Sequence, residues 1–179
     1  MKSHLYMFAA LVLLLTSCDR KLTLQKYFVE KGEAKNFSVV DIAPSFMKTD
    51  KLDLNEDQKK ALDAMHKLNV LIFKSDKNNG KAYDTEKATI KEVLKSDHYD
   101  ELMKMNFGDG GLSVNTKGEG ENIEEFVLFL HNKESGLGVV RVLGDDMTPQ
   151  DVMTIVGLLQ QTKTGNGQFQ QLLNIMKKN

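Results

Sequence analysis

The sequence predicts an α+β domain, a largely antiparallel sheet with amphipathic helices packed on it, placed behind an export signal. Three observations lead there. Apolar stretches between residues 102 and 142 are separated by glycine-bearing turns at 108–111 (GDGG), 117–122 (KGEGEN) and 133–138 (KESGLG), the punctuation of a β-meander. Apolar residues at helical spacing flank that meander on both sides. The 179 residues, 41 % of them hydrophobic, suffice for one domain with a real core and leave little room for a second.

In chain order, Leu24, Tyr27 and Phe28 share one helical face, so a helix is expected over about 22–32. FSVVDI (37–42) reads as a strand that stops at Ala43-Pro44, because the residue before proline prefers an extended backbone. Ala61, Leu62 and Met65 set a helix over 55–66, NVLIF (69–73) reads as a buried strand, and Ile90, Val93 and Leu94 mark a helix over 84–95. Within the meander, Met103, Met105 and Phe107 lie on one side of a strand, and Leu112 and Val114 alternate with Ser113 and Asn115. Phe126, Leu128 and Leu130 share a strand face, and Val140 and Val142 another.

Thr148-Pro149-Gln150-Asp151 opens a helix, with Thr as N-cap, Pro at N1 and an acid at N3. Val152, Ile155, Val156 and Leu159 follow at i, i+3, i+4 and i+7, and Phe169, Leu172, Leu173 and Met176 repeat that spacing in a final helix. A sheet with one apolar face closes by laying such helices against it.

Charge argues against polyanionic partners. Lys and Arg number 24 against 25 Asp and Glu, whereas duplex binding needs a basic excess, so no nucleic-acid role is expected. A single cysteine forms no intramolecular disulfide and no cysteine-based zinc site, so the fold must stand on packing.

That cysteine ends the stretch LVLLLTSC (11–18). Lys2, an apolar run from Leu5 to Leu15 and the small residues Thr16 and Ser17 divide as an export signal does. The run is far shorter than the roughly 20 residues that span a bilayer as a helix. Leu15-Thr16-Ser17-Cys18 resembles the lipobox of bacterial lipoproteins, in which the thiol takes a diacylglycerol, the signal is cut just before it and the new amine is acylated. The organisation expected is therefore a lipoprotein signal peptide over 1–17, a lipidated N-terminus and tether over 18–21, and one domain over 22–179. Two or more acyl chains, palmitate among them, give stable anchoring where one gives only marginal binding.

Candidate sites are few. DKNNGK (76–81) places Asp76 and Asn78 as in a calcium loop, but the positions that need a ligand, a glycine and a glutamate hold Gly80, Lys81 and Lys87, so a solvated turn leading to a helix capped near Asp84 or Thr85 is expected. The paired glycines open no phosphate-binding helix and read as hairpin turns. His66, His98 and His131 share no metal-ligand spacing, and His131 should sit wet at a strand end. No GxSxG elbow is present. Met103 and Met105 read as core filler rather than copper ligands. Asp145-Asp146 is expected to end a strand and favour the following helix N-terminus. No catalytic residue, cofactor or metal site is assigned, and Cys18 alone is read as a site of modification.

From about residue 22 onward the order of features resembles the family called domain of unknown function 4252, frequent in envelope proteins of Bacteroidetes. YFVEKGEAKNFSVVDIAPSFMK (27–48), LNVLIFKSD (68–76) and EEFVLFLHNKESGLGVVRVLGDDMTPQDV (124–152) carry the resemblance. It implies an exported α+β domain and transfers no functional residue. The expectation is an envelope lipoprotein, anchored to a membrane and facing the periplasm or the exterior, serving as a non-enzymatic binding or accessory module for an envelope protein or a small ligand. The alternatives are an envelope hydrolase whose site the fold assembles and a partner-binding regulatory or stress protein.

Overall fold

A computed structural model describes residues 21–43, 45 and 53–161. Cys18, the export signal, Pro44 and the helix expected around Phe169 lie outside them.

Helix α1 (Leu24–Lys31) buries Leu24, Tyr27 and Phe28, and Thr23 caps it by accepting the Lys26 amide. Strand β1 (Phe37–Ile42) has the expected bounds. Helix α2 (Glu56–Asp63) opens on a capping box between Asn55 and Gln58. It ends earlier than its spacing implied, because Met65 already belongs to strand β2 (Met65–Lys74) and pairs with Gly144.

Helix α3 (Gly80–Ser96) starts earlier than expected. Asn79 folds the preceding loop tightly, donating to the Lys74 carbonyl and accepting the Asp76 amide, and the buried Tyr83 extends the apolar stripe of Ile90, Val93 and Leu94 back by two turns. The cap is therefore not at Asp84 or Thr85. Strands β3 (Asp100–Phe107), β4 (Gly110–Glu119), β5 (Asn122–Asn132) and β6 (Gly136–Met147) form the expected meander, with two-residue turns at 108–109 and 120–121. Helix α4 (Pro149–Gln161) begins as read: Thr148 and Asp151 satisfy each other's amides, the Asp151 carboxylate also accepting the Thr148 hydroxyl at 2.7 Å.

The described residues thus hold four helices and a six-stranded antiparallel sheet, an α+β fold as expected. The strand order is β1-β2-β6-β5-β4-β3, so β6 inserts between β2 and β5 and joins the N-terminal strand pair to the meander.

One expectation fails: the sheet has two apolar faces. Leu68, Val70, Ile72, Phe126, Leu128, Leu130, Val140 and Val142 face α2 and α4. Leu71, Phe73, Val127, Phe129, Leu137 and Val139 face α1 and α3. Unbroken runs such as VLIF and FVLFL mark strands covered on both sides, where a half-exposed strand would alternate. Each such large side chain contributes about 1.5–3 kcal/mol on burial, so the three central strands supply most of the cohesion.

The sheet thins toward β3, its outer strand. Met103 and Phe107 pack on the α2/α4 side, while Met105 is 49 % exposed. On the opposite face the polar residues of β3 and β4 stand beside the C-terminal half of α3, and a concavity opens there.

Candidate functional site

That concavity is a cavity of about 300 Å³ bounded by α3, β3, β4 and the end of β5. Helical spacing supplies one wall: Lys87, Lys91 and Lys95 recur at i, i+4 and i+8, beside the stripe that docks α3 on the sheet. Period two supplies the floor. With Leu112 and Val114 turned toward α2 and α4, Ser113 and Asn115 face the other way, together with Lys104 and Asn106 from β3. Leu94, Tyr99 and Phe129 form an apolar side.

The charge of this cavity is unbalanced. Among the described residues neither Lys91 nor Lys95 takes part in an ion pair, and the single lining carboxylate, Glu101, is 3.0 Å from Lys104. Lys87, just outside, lies over the Tyr83 ring at 5.8 Å, and burial followed by the charge of Lys91 pulls its pKa below the ordinary lysine value. Like charges at i, i+4 destabilise a helix by a few tenths of a kcal/mol per pair, so the ladder is a local cost.

His131 sits at the inner end of the cavity. The strand-end position is as expected, but the wet environment is not: the ring is half-buried, with Nδ1 3.4 Å from the Tyr83 hydroxyl and its centroid 5.4 Å from that of Phe129. Burial, and then the charges of Lys87 and Lys91, push its pKa down to about 4, so the ring is neutral at pH 7. Gly111 leaves room for it, since a Cβ there would stand 2.9 Å from His131 Nε2 and 3.2 Å from Asn106 Oδ1. Asn115, itself buried, donates to Ser113 Oγ at 2.9 Å, which leaves the serine's own proton free to point into the cavity.

The remaining sequence candidates are not drawn into this site. His66 pairs with Asp145 at 2.6 Å in a shallow, exposed hollow that Glu124 and Asp146 also line. Asp145 and Asp146 stand at the end of β6, as expected, and the hydrogen bonds that cap the following helix come from Thr148 and Asp151. His98 occupies an exposed turn at φ +61. Asp76 accepts the Asn78 amide through Oδ1 at 2.7 Å and the Asn79 side-chain amide through Oδ2 at 3.3 Å, so its carboxylate is engaged within the loop. Among the described residues no group of three or more His, Cys, Asp or Glu is placed to hold a metal ion, and no helix is long and apolar enough to cross a membrane.

Two charged networks were missed by sequence reasoning. Glu125 and Arg141 pair beneath Tyr99, and Glu86 accepts from the Tyr27 hydroxyl at 2.7 Å and from Lys31 at 2.5 Å, tying α1 to α3. The signal for the first was present, as an arginine inside VVRVL and a glutamate at the head of EFVLFL. The lysine ladder was equally visible in its spacing, but its meaning depends on what it faces.

A family model described as "Domain of unknown function (DUF4252)" matches residues 27–155. No curated protein and no solved structure matches the chain.

Proposed function

The chain belongs to the domain of unknown function 4252 family, and from that premise we propose that it is an envelope lipoprotein, held to a membrane by acyl chains on Cys18, whose α+β domain is a binding module rather than a catalyst. The observation that carries the reading is Leu15-Thr16-Ser17-Cys18, set between an apolar run too short to span a bilayer and the polar Asp19-Arg20-Lys21. Lipid at that point leaves the domain in water, free to meet a solute or an envelope protein in the periplasm or at the cell exterior.

The cavity supports binding over catalysis. Its lysines and hydroxyl offer charge and hydrogen-bond donors, and Ser113 is bonded to Asn115 rather than to His131, whose own partner is Tyr83.

Mass spectrometry of the protein recovered from native membranes tests the anchor. The expected N-terminus is Cys18 bearing diacylglyceryl and amide-linked acyl mass, and a Cys18→Ala variant should keep its signal unprocessed. An unmodified thiol, or a mature chain starting elsewhere, overturns the reading.

A further inference from the structure

We propose that the cavity between α3 and the β3–β4 wing binds a small amphipathic organic anion, its oxyanion head held by Lys91, Lys95 and Ser113 and its short alkyl body laid against Tyr99 and Met105. The assignment rests on the reading of the domain as a binding module and adds the class of ligand.

Four observations converge on it. The volume, about 300 Å³, suits a molecule of small-metabolite size. Three ammonium groups line it against one carboxylate, and that carboxylate is engaged by Lys104, so Lys91 and Lys95 present charge without a counter-charge from the described residues. Ser113 accepts from Asn115 and keeps its own proton to give. Beside the lysines the lining offers accessible apolar surface, with Met105 49 % exposed and Tyr99 half-buried in front of the nearly covered Leu94 and Phe129.

Such a lining matches an oxyanion with a hydrocarbon body. A metal cation would meet repulsion from the lysines, and a fully polar anion would leave the apolar wall unused. The head group, carboxylate or phosphate, could arrive on a free solute or on a lipid; both present the same chemistry to Lys91 and Lys95.

Titration of the full-length chain in neutral detergent with acetate, butanoate, hexanoate and inorganic phosphate, followed by NMR, tests this directly. Hexanoate should give saturable shifts at residues 91–95, 104–106 and 111–115 and at the His131 ring. Affinity should rise about two- to fourfold per added methylene along the series, because each is removed from water against Tyr99 and Met105. Lys91→Gln and Lys95→Gln should each weaken hexanoate and phosphate about tenfold, the loss expected for one charged hydrogen bond. Ser113→Ala should weaken both less, while Lys59→Gln on the far face of the molecule should change neither.

Vesicles of phosphatidylglycerol that displace hexanoate, where phosphatidylcholine vesicles do not, assign the anion to a lipid head group. Absence of displacement assigns it to a free solute. Shifts that do not saturate and match those from sodium chloride at equal ionic strength overturn the proposal, as does an undiminished titration of the lysine variants. Either of these results removes the cavity assignment alone, since the lipoprotein reading is judged from the mass of the N-terminus.

Discussion

Arg141 grips Glu125 from the neighbouring strand through two parallel bonds, Nε to Oε1 at 2.6 Å and Nη2 to Oε2 at 2.9 Å. Both side chains are about nine-tenths covered, at 11 % and 10 % exposure, and the Tyr99 hydroxyl donates to the same carboxylate. Burial opposes the charge of Arg141, but the Glu125 carboxylate and Tyr99 outweigh it and hold the guanidinium above its ordinary pKa. Breaking the pair from one side strands a buried charge. Arg141→Met is expected to cost about 3–5 kcal/mol in urea denaturation, and Arg141→Met combined with Glu125→Leu to recover most of that loss. If the single variant is as stable as the parent, the network is not structural.

The three described tyrosines bear on alkaline stability. Burial, followed by the Glu86 carboxylate for Tyr27 and the Glu125 carboxylate for Tyr99, raises both phenols far above their ordinary value. Tyr83 is pushed up to about 12 by burial, then by Asp84 and Asp109. A raised folded pKa stabilises the fold fully below the unfolded value near 10, and that stability is lost as pH climbs past it. Above pH 10 the unfolded chain releases protons that the folded chain retains, so stability should fall by about 1.4 kcal/mol per pH unit for each such tyrosine. The phenolate signals of Tyr27, Tyr83 and Tyr99 should rise together with unfolding, not before it; ionisation of any of these three ahead of unfolding would contradict the burial of their hydroxyls.

His131 is expected to add to the protein's acid sensitivity. Its depressed pKa of about 4 arises from burial and then from Lys87 and Lys91, with the Tyr83 hydroxyl 3.4 Å from Nδ1 and no carboxylate among the causes. The unfolded side chain takes up a proton near pH 6.5, which the folded one refuses until about pH 4. The contribution is therefore complete above pH 6.5 and lost as pH falls from there toward 4. An NMR titration of the ring proton should find a midpoint near 4, shifted upward in Lys91→Gln. A midpoint near 6.5 in the parent protein would refute both the burial and the uncompensated positive field of the cavity.

Gly136 opens β6 at φ +118, where a Cβ would stand 2.0 Å from the Phe73 carbonyl oxygen and 2.9 Å from the Ser75 amide nitrogen. Both are backbone atoms of the paired strand and its exit, so they cannot rotate away. Gly136→Ala should destabilise by at least about 2 kcal/mol through strain and displacement of the β2–β6 edge. Gly80→Ala, with nothing within 4 Å of the added carbon, serves as the neutral control in the same thermal melt.

The limits of sequence reasoning follow from particular residues. Thr148, Pro149 and Asp151 were legible because a helix cap is a local bargain, settled within four residues. Turns 108–109 and 120–121 were legible for the same reason. The second apolar face was misjudged because Leu71 and Phe73 were read only as part of the run NVLIF, and the face of Phe126, Leu128 and Leu130 was followed without asking what covers Val127 and Phe129 between them. His131 was misjudged because its environment comes from α3, nearly fifty residues away in the chain (|i−j| = 48 to Tyr83).

The class of fold, the meander with its turns, and the expectation that Cys18 is the point of attachment all follow from local patterns, since each depends on neighbours within one or two turns of chain. That helices cover both faces of the sheet, and that Lys91, Lys95, Ser113 and His131 surround one cavity, emerges only in the folded chain. Those groups lie on different strands and a helix, and what brings them together is the pairing of long-range ladders and the docking of α3, a balance of burial that no short stretch of sequence contains.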